Sequence, residues 1–302
     1  MAHSYNDDLR LAHVLADNAD SQAMEYFLAT DLQVSTKADL TLVTEADKAV
    51  ESSIRKILKS TRTRDTVLGE EEGELEGSLT GTGRRWIIDP IDGTHNYVRG
   101  VPVWATLIAL EEDGEIVASC VSAPALQRRW WASKGGGAFT GKSLMSSRQI
   151  HVSQVSEVAD ASFSYSSLGG WENIGKLESV LALTRRCWRT RAFGDFWSYM
   201  MVAEGTVDIA AEPELNLWDM AALDVIVREA GGVFTGLDGK PGPWGSSAIA
   251  TNARLHDSTM AYLSHFTDSA EDLADAFNIG EEAESPLSNV HTLHAWRTTS
   301  DD

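Results

Sequence analysis

The chain has 302 residues, 43% of them hydrophobic, enough for one large domain or two modest ones around a substantial core. Lys plus Arg number 25 against 45 Asp plus Glu, and the resulting net charge of −20 repels nucleic acid and anionic membrane surfaces, so neither is an expected partner. No apolar run approaches the roughly 20 residues of a membrane helix, acids stand where a secretory leader carries positive charge, and Cys120 and Cys187 are too few for a disulfide framework; a cytoplasmic protein is expected.

The first element predicted in chain order is an amphipathic helix with Leu11, Ala12, Leu15, Ala19, Ala23 and Phe27 at helical spacing. Thr44-Glu45-Ala46-Asp47 has the form of a capping box, opening a second helix with the stripe Val50, Ile54, Ile57 and Leu58. Two short strands follow, each running into acids: Thr66-Val67-Leu68 into Gly69-Glu70-Glu71, and Trp86-Ile87-Ile88 into Asp89-Pro90-Ile91-Asp92-Gly93-Thr94. A meander is predicted over 104–110, 116–121 and 129–132, with a turn at Glu112-Asp113-Gly114. From about residue 158 strands and helices alternate. They comprise a strand over 162–165, one helix through Ile174, Leu177 and Leu181, a strand near Trp188 and a helix after Asp195. A strand over 207–210, a helix over 218–230 stopped by Gly231-Gly232, a strand over 248–250 and a helix ending near Phe266 complete the pattern.

This organisation divides the chain into an N-terminal α+β part, 1–157, a C-terminal α/β part, 158–266, and an acidic tail, 267–302, that is either mobile or docked on a partner subunit. The marked charge cluster is Arg185, Arg186, Arg189 and Arg191, read as a solvated strand face in preference to a ligand or interface role.

Asp89-Pro90-Ile91-Asp92-Gly93-Thr94 carries the most chemistry, because a rigid Pro and a permissive Gly accompany two carboxylates at a strand end. Both carboxylates can face one cation cluster, and the Ile91 carbonyl offers a third hard oxygen of the kind Mg²⁺ prefers. If Gly93 and Thr94 open a short helix, their N–H groups point at a phosphate. Asp89 as a turn cap and Asp92-Gly93 as a turn dipeptide make a common pattern, so these six residues alone are weak evidence for a site. The net charge disfavours anionic substrates unless bound divalent cations cancel it locally.

Three segments together are more specific. Gly69-Glu70-Glu71, Trp86 through Thr94, and Trp218-Asp219-Met220-Ala221-Ala222 resemble, in order and spacing, the three metal-site motifs of the inositol monophosphatase family. Val43-Thr44-Glu45-Ala46-Asp47 and Glu229-Ala230-Gly231-Gly232 extend the similarity. The resemblance implies an α+β fold, a layered α/β/α/β/α sandwich, and a phosphatase that hydrolyses the phosphate monoester of a small soluble metabolite. It implies that Glu70, Asp89, the Ile91 carbonyl, Asp92 and Asp219 bind two or three Mg²⁺ ions. It further implies direct attack of water, with Asp47, Thr94 and Glu70 as catalytic residues and Thr94 hydrogen-bonded to Asp47. Gly93 and Thr94 would receive the phosphate. Glu71, beside a ligand, either supports it or is merely solvated, and Asp47 and Asp219 each also read as helix caps. A homodimer is expected from the same resemblance.

For the non-phosphate end of the substrate, Asp195, Glu212 and Asn216 are the candidates, with Phe193, Phe196 and Trp197 as flat surfaces. Acids beyond those needed for metal favour a cationic substrate. Lys37-Ala38-Asp39-Leu40-Thr41, Gly194-Asp195-Phe196-Trp197 and Glu212 through Asp219 resemble the bacterial histidinol-phosphate phosphatase branch of the family. Histidinol phosphate carries an ammonium, matched to Asp195 or Glu212, and an imidazole, matched to Asn216. Asp195 as a simple helix N-cap is the competing reading. An inositol-1-phosphate or sugar-phosphate phosphatase is the rival function; an idle metal-binding subunit would have lost Thr94, Asp47 or a ligand, and none is lost. Gly135-Gly136-Gly137-Ala138-Phe139 lacks the spacing of a dinucleotide fingerprint.

Overall fold

The structure, a computed structural model, describes residues 5–37, 42–75 and 83–265. The tail over 267–302, residue 266 and most of the Lys37-to-Thr41 segment lie outside the described residues.

Helix α1 (Asn6–Tyr26) buries Leu9, Ala12, Leu15, Ala16, Ala19 and Ala23. Small residues at this spacing let it lie close against its neighbours. Phe27, predicted in the helical stripe, is instead the extended cap, its ring 5.4 Å from Tyr97 and 5.3 Å from Trp104. A two-stranded ribbon, β1 (Val34–Thr36) and β2 (Leu42–Thr44), leads into α2 (Glu45–Thr61). The capping box predicted there is formed: the Thr44 N–H donates to Asp47 Oδ2 at 2.7 Å, and the Ala46 N–H donates to the Thr44 hydroxyl at 3.1 Å.

The large sheet contains β3 (Thr66–Gly69), β4 (Gly73–Leu75) and β5 (Arg84–Asp92), followed after the short α3 (Thr94–Val98) by β6 (Ala105–Glu112), β7 (Glu115–Ala123), β8 (Arg128–Ser133), β9 (Gly137–Ser143) and β10 (Ser146–Ile150). Its order is β10-β9-β8-β7-β6-β5-β3-β4, antiparallel except for the β3–β5 pair. The meander β6–β8 matches expectation. The β9–β10 hairpin was not foreseen, because its residues are mostly small and polar, and much of it faces solvent, so no apolar alternation marks it.

The second half adds β11 (Ser162–Tyr165), α4 (Leu168–Asn173), α5 (Leu177–Arg186), β12 (Arg189–Arg191), α6 (Asp195–Ala203), β13 (Ile209–Glu212), α7 (Leu217–Glu229), β14 (Gly232–Thr235), β15 (Ala248–Asn252) and α8 (His256–His265). One helix was predicted where α4 and α5 stand; Gly175, at φ +70°, breaks it. The five strands form a sheet of order β12-β11-β13-β15-β14.

Helices α1 and α2 cover one face of the large sheet, α6 and α7 lie between the sheets, and α5 and α8 pack beyond the smaller sheet. The α/β/α/β/α sandwich is therefore observed. Its central apolar layer joins Ile87, Leu107 and Trp130 from the first half to Phe196, Tyr199 and Ile226 from the second. Each such large side chain stabilises the fold by about 1.5–3 kcal/mol.

Candidate active site

Parallel pairing of β3 with β5, in the register Gly69↔Ile88, sets the two acid-bearing strand ends side by side, and the Glu70 N–H donates to the Ile88 carbonyl at 3.2 Å. The β5–β6 register shifts between Asp89 and Asp92, so the loop leaves the sheet there. Helix α7 enters from between the sheets and carries Asp219 in its first turn, held by the Asn216 N–H at 2.7 Å. Carboxylate oxygens of Asp89, Asp92 and Asp219 thereby come within 4.8 Å of one another. This is the geometry of a hard-cation site.

A model of the inositol monophosphatase family matches residues 7–268, nearly the whole described chain and every residue of this cluster. The chain belongs to that family. Among its relatives, a histidinol-phosphatase of Streptomyces coelicolor is 64% identical over 86% of this chain and 97% of the relative. One of Mycobacterium tuberculosis is 57% identical over 85% and 98%. Among solved structures, an inositol monophosphatase from Zymomonas mobilis superposes with a TM-score of 0.75 at 30% identity, covering 86% of this chain and 99% of that one.

In this family member the acids are charged against one another. Burial first, then the charges of Glu70, Asp92 and Asp219, raise the Asp89 carboxyl well above the usual range. Burial, then Asp195 and Asp219, do the same to Asp92. Burial pushes Asp219 up to about 7 although the Asn216 N–H opposes it. A bound divalent cation removes that conflict by making the ionised forms favourable together, so the donor set fits a metal.

The remaining predicted residues fall in three groups. Glu70 stands beside the cluster, adding to the strain on Asp89 and Asp219, but its Oε1 accepts from Lys37 Nζ at 2.8 Å, and the same ammonium donates to Glu71 Oε1 at 2.6 Å. The Ile91 carbonyl accepts from the Thr94 hydroxyl at 3.0 Å. That bond corrects one expectation: Thr94 is not bonded to Asp47. Asp47 Oδ2 is taken by Thr44, and its Oδ1 is buried without a partner. Burial pushes Asp47 up to about 6. Gly93, at φ +85°, caps α3, and a Cβ there would meet the Val103 carbonyl at 2.9 Å, so the tight loop requires glycine.

On the substrate side, Asp195 is not an N-cap. It is the first residue of α6, at φ +52°, and its Oδ2 accepts from Asn96 Nδ2 at 3.0 Å. Burial pushes it up to about 6. Glu212 is buried, and its Oε1 and the nearby Tyr199 hydroxyl close no hydrogen bond of normal geometry. Burial, then Asp195 and Asp219, push Glu212 up to about 8. Asn216 is exposed and acts through its backbone on Asp219. Phe193 and Trp197 meet edge to face at 5.3 Å, whereas Phe196, expected as a flat surface, is buried in the central core against Trp130.

Two positioning groups were missed. The Phe196 N–H, at the start of α6, donates to Asp92 Oδ2 at 2.7 Å, a tertiary bond with no local signature. Glu51, fully buried on α2, accepts the N–H groups of Glu71 at 2.7 Å and Glu72 at 3.0 Å and is paired to Arg55 at 2.8 Å. A charged pair on the apolar stripe, at i and i+4 beside Ile54 and Leu58, was its signal in the sequence.

Proposed function

We propose that this chain is a Mg²⁺-dependent histidinol-phosphatase that hydrolyses L-histidinol phosphate to L-histidinol and inorganic phosphate. The observation that carries the choice of substrate is a second pair of acids: Asp195 and Glu212 stand beside the metal-type cluster, near enough to raise Asp92, yet outside it. Carboxylates held there beyond the metal ligands call for a cationic partner, and the ammonium of histidinol phosphate is one. Names borne by the 64% and 57% identical relatives support the same reading.

Asp89, Asp92, Asp219, Glu70 and the Ile91 carbonyl would hold two or three Mg²⁺ ions, with Glu70 released from Lys37. Bound there, the ions supply a more acidic water and neutralise phosphoryl charge. Gly93 and Thr94 border the space where the phosphate lies. Asp47 Oδ1, buried and unpartnered, is the acceptor for the proton of the attacking water, relayed by Thr94 once its hydroxyl leaves the Ile91 carbonyl. Asp195 and Glu212 take the ammonium, while Phe193 and Trp197 offer faces for the imidazole. A cytoplasmic homodimer belongs to this reading; no helix among the described residues is long and apolar enough to cross a membrane.

Phosphate release with Mg²⁺, comparing kcat/KM for histidinol phosphate and inositol 1-phosphate alongside a chelator control, tests it. A large preference for histidinol phosphate is expected. Equal or reversed preference would leave a phosphatase with the rival polyol-phosphate specificity, and chelator-insensitive release would overturn the metal assignment.

A further inference from the structure

We propose that Asn96 is the positioning residue that aims the Asp195 carboxylate at the ammonium of the substrate; the inference rests on the substrate reading given above. Asn96 lies in α3, just beyond Thr94, and its amide nitrogen carries two hydrogens. One goes to the Val103 carbonyl at 3.0 Å and the other to Asp195 Oδ2 at 3.0 Å. Both partners are acceptors, so the network itself dictates that the amide turns its nitrogen toward them. Val103 leads into β6 and Asp195 opens α6. One side chain therefore ties the loop that follows Asp89 and Asp92 to the neighbouring strand and to the helix layer.

The carboxylate needs such a support. Gly194 and Asp195 stand in succession at φ +75° and φ +52°, in the left-handed region, which an aspartate enters at a cost and keeps only where its surroundings over-determine it. The backbone is fixed by the Phe196 N–H, which donates to Asp92 Oδ2 at 2.7 Å, and the side chain by Asn96. With Oδ2 taken, Asp195 Oδ1 accepts no hydrogen bond from any described residue and is the oxygen left for a ligand. Its place suits that use, because Oδ2 lies 3.4 Å from where a Cβ on Gly93 would stand, against the loop that borders the phosphate space. The chemistry of the support matters as much as its position. Glu70 is held by the ammonium of Lys37, which cancels its charge. A neutral amide fixes the direction of a carboxylate and leaves its charge for an arriving cation, so the orientation is set before the substrate binds.

Steady-state kinetics with Mg²⁺ on Asn96→Ala, Asp195→Ala and the double variant, each with histidinol phosphate and inositol 1-phosphate, test this. Asn96→Ala should lower kcat/KM for histidinol phosphate about tenfold, chiefly through KM, as the loss of one hydrogen bond to a charged group does. Its effect on inositol 1-phosphate should stay below about twofold, since no charge on that substrate is aimed at Asp195. In the Asp195→Ala background the same change should cost histidinol phosphate less than about twofold, because no carboxylate is left to orient. Asn96→Ser, which keeps a hydroxyl donor without the paired N–H groups, gives the same cycle if Asn96→Ala does not fold. An equal loss on both substrates, or an equal loss with and without Asp195, would make Asn96 a structural residue and overturn the proposal. If Asp195→Ala by itself left the preference for histidinol phosphate intact, the ammonium reading would fall first and this inference with it.

Discussion

Asp92 serves two partners, accepting the Phe196 N–H through Oδ2 while its carboxylate completes the cluster with Asp89 and Asp219. Asp92→Asn keeps an acceptor for Phe196 but removes the charge, so the fold should survive, by circular dichroism, while kcat falls by more than ~100-fold. Near-normal turnover would remove Asp92 from the metal site. Asp195→Asn separates two roles. If its charge holds an ammonium, kcat/KM for histidinol phosphate falls about 10- to 100-fold, the equivalent of a charged hydrogen bond of about 1.5–3 kcal/mol, and inositol 1-phosphate is little affected. An equal loss on both substrates would mean that Asp195 matters only for holding Asn96. The acids themselves were legible because their motifs are contiguous, residues 69–71, 86–94 and 218–222. Two of their partners were not: Lys37 and the Phe196 N–H reach them through contacts that spacing does not encode. The Thr94–Asp47 bond was expected although the capping box legible in Thr44-Glu45-Ala46-Asp47 already gave an Asp47 oxygen to Thr44.

At the scale of elements, α2 and the β3 end are bolted together by Glu51, against which Gly69 packs so closely that a Cβ would lie 2.2 Å from Oε1. Glu51→Ala leaves buried Arg55 with only the exposed Glu72 carboxylate, at 3.5 Å, as an ion-pair partner and the Glu71 and Glu72 N–H groups unsupported; a loss of about 3 kcal/mol in unfolding free energy is expected, read by denaturant titration. A loss below ~1 kcal/mol would mean the loop holds itself. Helix α1 offers a pH test. His13 is buried against the sheet with Nδ1 3.3 Å from Arg129 Nη1 and Nε2 unpartnered. Burial, then Arg129, push its pKa down from 6.5 to about 4. The unfolded chain takes up that proton below 6.5 and the native state only near 4, so its stability is intact above 6.5 and erodes as pH falls across that window. The Tm of His13→Gln should therefore gain on the parent between about pH 7 and about pH 4.5; a constant difference would show that His13 is uncoupled. Helices with long apolar stripes and capping boxes, such as α2, were readable from their residues alone. The β9–β10 hairpin and the α4–α5 break were not, since polar edge strands leave no alternation and a single Gly175 looks no different from a tolerated helix glycine.

Across the whole molecule, α7 packs against both sheets, and the central core draws on both halves of the chain. The sandwich should accordingly unfold in one calorimetric transition, with equal calorimetric and van't Hoff enthalpies. Two resolved transitions would show that the sheets melt apart despite the shared core. The same architecture gives the cluster a second consequence. Asp89 and Asp92 come from the large sheet, Asp219 from the helix layer behind it, so a cation that binds all three rivets two layers already joined by apolar packing and by hydrogen bonds such as those from the Phe196 N–H to Asp92 and from the Ser119 hydroxyl to the Ala222 carbonyl. At a free ion concentration about 100 times Kd, that rivet adds about 2.7 kcal/mol. Melting temperature then reports ion affinity even in variants too slow to assay, and a cell short of the ion would lose the protein to proteolysis as well as its activity.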